Sequence, residues 1–282
     1  MIIKKKLLSF LNSTSKIKNI KNKYDKFNGP VLILGDGVSL LSVKKYLNKY
    51  KYIISCNSTV LYEPLKNHNI LFWIVREPNW MYRQIFMKKK KDIHRLINDK
   101  NKIKNFNNYS KAFMIAHPIG RLFNYFFHKI KNVIYLSPYY EIKLKNRKIY
   151  NDFTAAFQTC VGTALLAGFK EIHFCGFDAW LLAPKNSIRW FSNCQNPKKY
   201  DYKNNLTNKI PLFLKLASEV AKLKVYTFNH YKSKYKVINS IKIKNKVKYN
   251  NRKNSMNKHS LNIWSNYENI RFPNGYNVKN QE

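Results

Sequence analysis

The feature that most constrains this chain is a repeating alternation. Short, continuous, β-branched-rich apolar runs end in polar or glycine turns, and helix-patterned stretches separate them. Val31-Leu32-Ile33-Leu34 ends in Gly35-Asp36-Gly37, and Ser39 then opens an amphipathic stretch through Tyr50. Tyr52-Ile53-Ile54-Ser55-Cys56 ends at Asn57-Ser58, and Ile70-Leu71-Phe72-Trp73-Ile74-Val75 ends at Arg76-Glu77-Pro78. Further strand patterns fall at 112–116, 133–136, 171–178 and 225–228, with helices expected over 81–97, 155–168 and 211–222. Runs apolar on both faces are what a parallel sheet covered by helices on both sides requires. The expected fold is therefore α/β, a Rossmann-like and mostly parallel sheet, with ligands at the carboxyl ends of its strands.

Outside this alternation the pattern changes. Residues 1–28 read as a basic leader in which Leu7, Leu8, Phe10 and Leu11 lie close to Lys4, Lys5 and Lys6. A short helix at a membrane surface and a frayed lysine-rich terminus both fit that composition. Residues 29–231 read as the α/β domain, and 232–282 as a basic tail, partly disordered. No run approaches the roughly 18 apolar residues that span a bilayer, and the first residues are too weakly apolar for a signal peptide. A cytoplasmic location, peripheral at the inner face of the cell membrane, is the expectation.

Charge enters here. The chain carries 53 Lys+Arg against 14 Asp+Glu, a formal net charge of +39. Codon bias toward Lys, Asn, Ile, Tyr and Phe accounts for part of the lysine content, but it should raise the acids as readily. The deficit of acids points to an anionic neighbour: nucleic acid, an anionic membrane face or a phosphorylated substrate. Hydrophobic residues at 45% exclude a wholly disordered chain. The cysteines Cys56, Cys160, Cys175 and Cys194 lack metal-ligand spacing, so no zinc site is expected, and Cys56 and Cys175 read as buried thiols.

Three strand-end constellations carry chemistry. In Gly35-Asp36-Gly37-Val38-Ser39-Leu40, glycines allow a backbone to approach phosphate or ribose. Ser39 can cap a helix whose N-terminus favours an anion. The spacing is neither G-x-G-x-x-G nor a P-loop, and a glycine turn that merely closes a strand–helix corner is the alternative. In Ser55-Cys56-Asn57, the Asn57 amide can read a ribose or base edge, or close the strand in an Asx turn. In the segment from Lys170 to Trp180, Asp178 next to an aromatic fits a nucleotide or acceptor contact; a turn cap with Trp180 in the core is the alternative. His173, inside that strand, reads as packed. Arg76, at a strand end, is the arginine best placed to grip phosphate or carboxylate.

These three motifs, in this order, resemble bacterial sialyltransferases that decorate lipo-oligosaccharide. They also resemble the related pterin-diphosphokinase-like and motility-accessory-factor glycosyltransferase domain. Those proteins carry a G-N-G-P-S-L turn, a C-N strand end and a G-[YF]-K-E-I-x-x-x-G-x-D-x-[YW] block, matched here over about residues 29–231. The resemblance implies a metal-independent glycosyltransferase. It would move a sugar from a nucleotide-activated donor, CMP-sialic acid among the candidates, to a cell-surface glycan or glycolipid, as in lipopolysaccharide biosynthesis. No cofactor beyond that co-substrate is implied. The basic termini would hold the protein at an anionic membrane, with nucleic acid not expected as a partner.

Carried over residue by residue, Gly35, Asp36, Gly37 and Ser39 would hold donor phosphate and ribose, and Asn57 would contact the nucleotide. Asp178 and Trp180 would line the donor or acceptor pocket, and Tyr202 would be a lid tyrosine near the phosphate. The departures are specific. Asp36 replaces the family asparagine, and a carboxylate suits ribose hydroxyls better than phosphate. Ala155-Ala156-Phe157 replaces a polar Thr-Ser-Gly turn. The family's lid histidine, its general base, falls on Asn205, which takes no proton at neutral pH. Asp201 and His230 are then the candidate bases, Asp201 slightly preferred. Two other readings stand beside this one: a diphosphotransferase in which Asp36 and Asp178 help hold Mg²⁺, and a nucleic-acid binder using lysines interleaved with Tyr and Phe.

Overall fold

The computed structural model describes residues 17, 27–37, 39–75, 102–104, 106–109, 111–116, 118, 121, 124–125, 130–136, 139–144, 147–152, 156–182, 205–228 and 231–243. Eight strands form one sheet: β1 (Val31–Leu34), β2 (Tyr52–Cys56), β3 (Ile70–Val75), β4 (Phe113–Ala116), β5 (Val133–Tyr135), β8 (Glu171–Cys175), β9 (Lys222–Thr227) and β10 (Asn239–Lys242). Between β5 and β8 the chain adds an antiparallel hairpin, β6 (Tyr139–Leu144) and β7 (Arg147–Asp152). The main sheet has the order β10-β9-β8-β1-β2-β3-β4-β5, and each of its pairings is parallel. The α/β fold expected from the apolar runs is the fold observed.

The helices around the sheet include α1 (Leu40–Val43), α2 (Ala156–Leu166), α3 (Asp178–Leu181) and α4 (Asn205–Ser218). Side-chain alternation along the strands divides them between the two faces. Phe174 of β8 meets Phe157 of α2, with ring centroids 5.4 Å apart. The next residues in register, His173 and Cys175, point the other way, toward Tyr50 and Ser39. The helical stretch between β1 and β2 therefore lies on the face opposite α2. β1 is buried along its whole length, as are β2 and β3. Trp73, Phe72, Phe157, Phe169 and Phe174 are among the largest fully buried side chains.

The structure changes several boundaries. The amphipathic stretch after Ser39 is one short α-turn followed by a 3-10 helix over Lys44–Lys49, rather than one helix through Tyr50. Pro211 does not begin the last helix. α4 starts at Asn205 and carries Pro211 in its interior. The sheet also reaches beyond residue 231: β10 pairs in parallel with β9, and Ile238 and Ile243 are buried on either side of it. At the other end Phe27, within the segment read as leader, is buried and stacks on Phe169 with centroids 4.5 Å apart. Among the described residues no helix is long and apolar enough to cross a membrane. The helix expected over 81–97 lies outside the described residues.

Candidate functional site

From β1 the chain proceeds through β2, β3, β4 and β5 to one side, while β8, β9 and β10 lie on the other. The strand order thus reverses between β1 and β8, and open α/β sheets bind their ligands at the carboxyl ends of the strands around such a switch point. All three motifs singled out in the sequence end there. Gly35 follows β1, Asn57 follows β2 and Gly176 follows β8.

The first and third motifs are fastened together. Gly35 N–H donates to Cys175 O at 2.8 Å, and Gly37 N–H donates to Gly176 O at 2.5 Å, continuing the parallel ladder past the ends of both strands. A Cβ on Gly176 would fall 2.0 Å from Gly35 O, and Gly176 itself sits at φ +79°. A Cβ on Gly37 would meet Asp178 Oδ2 at 2.5 Å. These glycines are required by backbone touching backbone across the switch point.

Ser39 and Asp178 lock the same junction. The Ser39 hydroxyl donates to Asp178 Oδ1 at 2.5 Å and its N–H donates to Oδ2 at 2.8 Å, while Gly176 N–H donates to the Ser39 Oγ at 2.8 Å. Both residues are buried, Ser39 fully and Asp178 at 3% exposure. The expectation that Ser39 caps the following helix is corrected: its side chain makes no capping bond, because its hydroxyl is committed to Asp178. Beneath them, burial first and the nearby Asp178 carboxylate second push the Cys175 thiol far up, so it stays protonated.

The second motif is held from its own side. Asn57 adopts φ +50°, the left-handed conformation that Asn tolerates better than most residues, and its carbonyl accepts the Trp73 indole N–H at 2.9 Å. Thr59 closes the strand end, accepting from Cys56 N–H at 2.8 Å and sharing a 2.6 Å hydrogen bond with Ser55. Cys56 is buried, and its thiol is pushed well above the ordinary range by its hydrogen bond with Cys160, by burial and by the negative Asp36 nearby, with Lys102 opposing. Asp36 and Asn57, both half-buried, are the polar residues that follow β1 and β2 at this junction, and Asp36 Oδ1 is itself buried.

Sequence reasoning therefore found residues that the fold brings together: Gly35, Asp36, Gly37, Ser39, Asn57 and Asp178. It missed that Gly35, Gly37 and Ser39 donate their N–H groups to the β8 exit turn. The signal was available in Gly176, the glycine that follows β8 as Gly35 follows β1. Trp180 lies in α3, one turn after the junction. Arg76, Asp201, Tyr202 and His230 lie outside the described residues, as does Cys194.

A second polar cluster occupies the same sheet face nearer the start of β8. Tyr50 Oη bonds His173 Nδ1 at 2.5 Å and Tyr226 Oη at 2.7 Å, and His173 Nε2 meets Glu171 Oε1 at 2.8 Å. Lys224 donates to the same Glu171 oxygen at 2.6 Å. A neutral imidazole protonated on Nε2 satisfies every bond: Tyr50 donates to Nδ1, and Nε2–H donates to Glu171. Burial pushes the His173 pKa down, against the pull of Glu171. As the sequence suggested, His173 is a packed residue.

No protein-family model and no curated protein matches the chain. Among solved structures it is similar to a MAf glycosyltransferase from Magnetospirillum magneticum AMB-1, at 12% sequence identity and a TM-score of 0.42. The similarity covers 87% of this chain and 39% of that one, so the chain spans about two-fifths of that protein's length. The α/β assignment rests on the strand order and register described above.

Proposed function

We propose that the chain is a glycosyltransferase domain that binds a nucleotide-activated sugar at the β8-β1-β2 strand ends. The observation that carries this reading is the convergence of the three motifs on the switch point, where an open α/β sheet binds its ligands. In this reading Asp36 and Asn57 touch the donor. Asp36 accepts from ribose hydroxyls, and the Asn57 amide pairs with base or ribose. Gly35, Gly37, Ser39 and Asp178 act as positioning residues, because their polar groups hold the β1 and β8 exit turns in register. Arg76 and Tyr202 are proposed to meet the phosphate, Trp180 to line the pocket, and Asp201 or His230 to take the proton from the acceptor hydroxyl. That oxygen then attacks the anomeric carbon as the nucleotide leaves with the bonding electrons. Sialic acid as the sugar, and a lipopolysaccharide-type glycan as acceptor, follow from the motif resemblance.

The engagement of both Asp178 oxygens with Ser39 weighs against the diphosphotransferase reading, in which that carboxylate would share a magnesium ion. The test is a thermal-shift panel of CMP-, UDP- and GDP-sugars beside the free nucleotides and ATP, each with and without magnesium. Stabilisation by one nucleotide sugar, retained in EDTA, is the expected result. A shift by magnesium–ATP alone, or none at all, would overturn the reading.

A further inference from the structure

We infer that the edge of the sheet opposite the candidate site is a docking surface for an anionic membrane. Because the strands are parallel, their amino ends share one edge, and a lysine stands at six of the eight. Lys51 and Lys170 immediately precede β2 and β8, Lys222 opens β9, Lys111 and Lys131 lie in the turns entering β4 and β5, and Lys66 lies in the 3-10 helix Glu63–Asn67 that precedes β3. All six are exposed. The Lys222 N–H donates to Lys170 O at 2.8 Å, which fixes two of them side by side. At an inter-strand spacing of about 4.8 Å the row from β9 to β5 runs about 29 Å. At one or two strand spacings apart, neighbouring members stand within roughly a Debye length of each other at physiological salt, so adjacent fields add.

The turns that leave β1, β2 and β8 differ in charge. Residues 35–37, 39, 56–59 and 176–178 contain no lysine and carry Asp36 and Asp178. Described acids near the lysine edge include Glu171, neutralised by Lys224, Glu219, and Glu63 in the same 3-10 helix as Lys66.

A lipid surface fits this edge better than nucleic acid. Single-strand binding needs exposed aromatic faces among the cations, and the aromatics here are packed into the core, Tyr50, Tyr52 and Phe169 buried and Tyr109 and Phe113 partly so. The six cations are hydrated point charges, without the planar fork that reads bases or grips single phosphates. Val237, exposed where the chain enters β10, adds an apolar side chain to the same edge. Docked this way, the candidate site opens into the aqueous phase, about a strand's length of 15–20 Å from the lipid. A soluble nucleotide donor reaches it freely, and an acceptor glycan must extend outward or arrive in soluble form.

The test is co-sedimentation of the full chain with vesicles of phosphatidylcholine alone or with three parts in ten of phosphatidylglycerol. Binding only to the anionic vesicles, weakening with salt, is expected. Replacing the six lysines by Gln should reduce the affinity tenfold or more, at about fivefold per lysine near an anionic surface as the upper bound. Replacing Lys4, Lys5 and Lys6 by Gln should leave most of it. Where the sixfold variant does not fold by its thermal melt, the pair Lys111→Gln and Lys131→Gln takes its place, with a loss of about tenfold expected. The inference is overturned by absence of wild-type binding, by undiminished binding of the rim variants, by loss confined to the leader variant, or by tighter binding to duplex DNA than to the vesicles. Nucleotide-sugar stabilisation of the folded rim variants reads the donor site separately, so either reading can fail alone.

Discussion

Ser39 and Asp178, 139 positions apart in the chain, share two hydrogen bonds: Oγ to Oδ1 at 2.5 Å and N–H to Oδ2 at 2.8 Å. Both residues are buried, so neither bond competes with water. Asp178→Ala strands two buried donors on Ser39, and hydrogen bonds to a charged acceptor are each worth about 1.5–3 kcal/mol. A loss of about 3–6 kcal/mol in urea unfolding is expected. Asp178→Asn retains one acceptor and should lose roughly half as much. An Asp178→Ala midpoint equal to the wild type would show that the junction does not depend on this pair.

Two glycines with positive φ should behave very differently. Gly176 (φ +79°) has the Gly35 carbonyl 2.0 Å from where a Cβ would lie, whereas Gly29 (φ +96°) has nothing within 4 Å. Gly29→Ala carries only the conformational cost, about 1–2 kcal/mol. Gly176→Ala adds a backbone clash that only separation of β1 from β8 relieves, so a total loss above about 3 kcal/mol is expected. Urea midpoints of the two variants, measured side by side, give the comparison.

The sequence made some of this visible and hid the rest for physical reasons. β1, β2 and β3 were legible because strands covered on both faces must be apolar throughout. β10 was hidden because an edge strand needs few apolar residues; Asn239-Ser240-Ile241-Lys242 reads as lysine-rich tail, and its anchors, Ile238 and Ile243, flank it. The β6–β7 hairpin was masked in the same way by Glu, Lys and Arg. The motif positions were legible, since strand-end glycines and polar residues stand out against apolar runs. The pairing of Ser39 with Asp178 was not, because local pattern carries no information on contacts so distant in the chain.

The His173 cluster gives the fold a pH dependence of defined sign. Burial pushes the folded His173 pKa below the ordinary value of about 6.5, so an unfolded chain takes a proton that the folded chain refuses. The associated stability is complete above that pH and declines as the pH falls through it toward the folded value. Glu171 acts with the same sign at lower pH. Its hydrogen bond from Lys224, then that from His173, hold its pKa below the ordinary carboxylate range, and that stability is lost as the carboxylate protonates. Melting temperatures measured from pH 8 to pH 4 should fall on acidification. His173→Gln should flatten the curve between about pH 7 and pH 5.5. An unchanged slope in that variant would assign the dependence to other groups.

The proposed donor contacts of Asp36 and Asn57 can be separated from their structural duties. Asn57 combines a left-handed backbone, a carbonyl held by Trp73 and a side-chain amide, so Asn57→Ala would confuse strain with lost recognition. Asn57→Gly keeps the positive φ at little cost and removes only the amide. If that amide pairs with the nucleotide, the variant should lose about 5–15-fold in donor affinity, the equivalent of about 1–1.5 kcal/mol, with a modest change in melting temperature. Asp36→Asn retains an acceptor for a ribose hydroxyl but loses its charge, so a larger loss of about 10–100-fold is expected. Calorimetric titration with whichever nucleotide sugar stabilises the wild type gives both numbers. Wild-type affinity in both variants would remove the two residues from the donor site and leave the switch-point junction a purely structural feature.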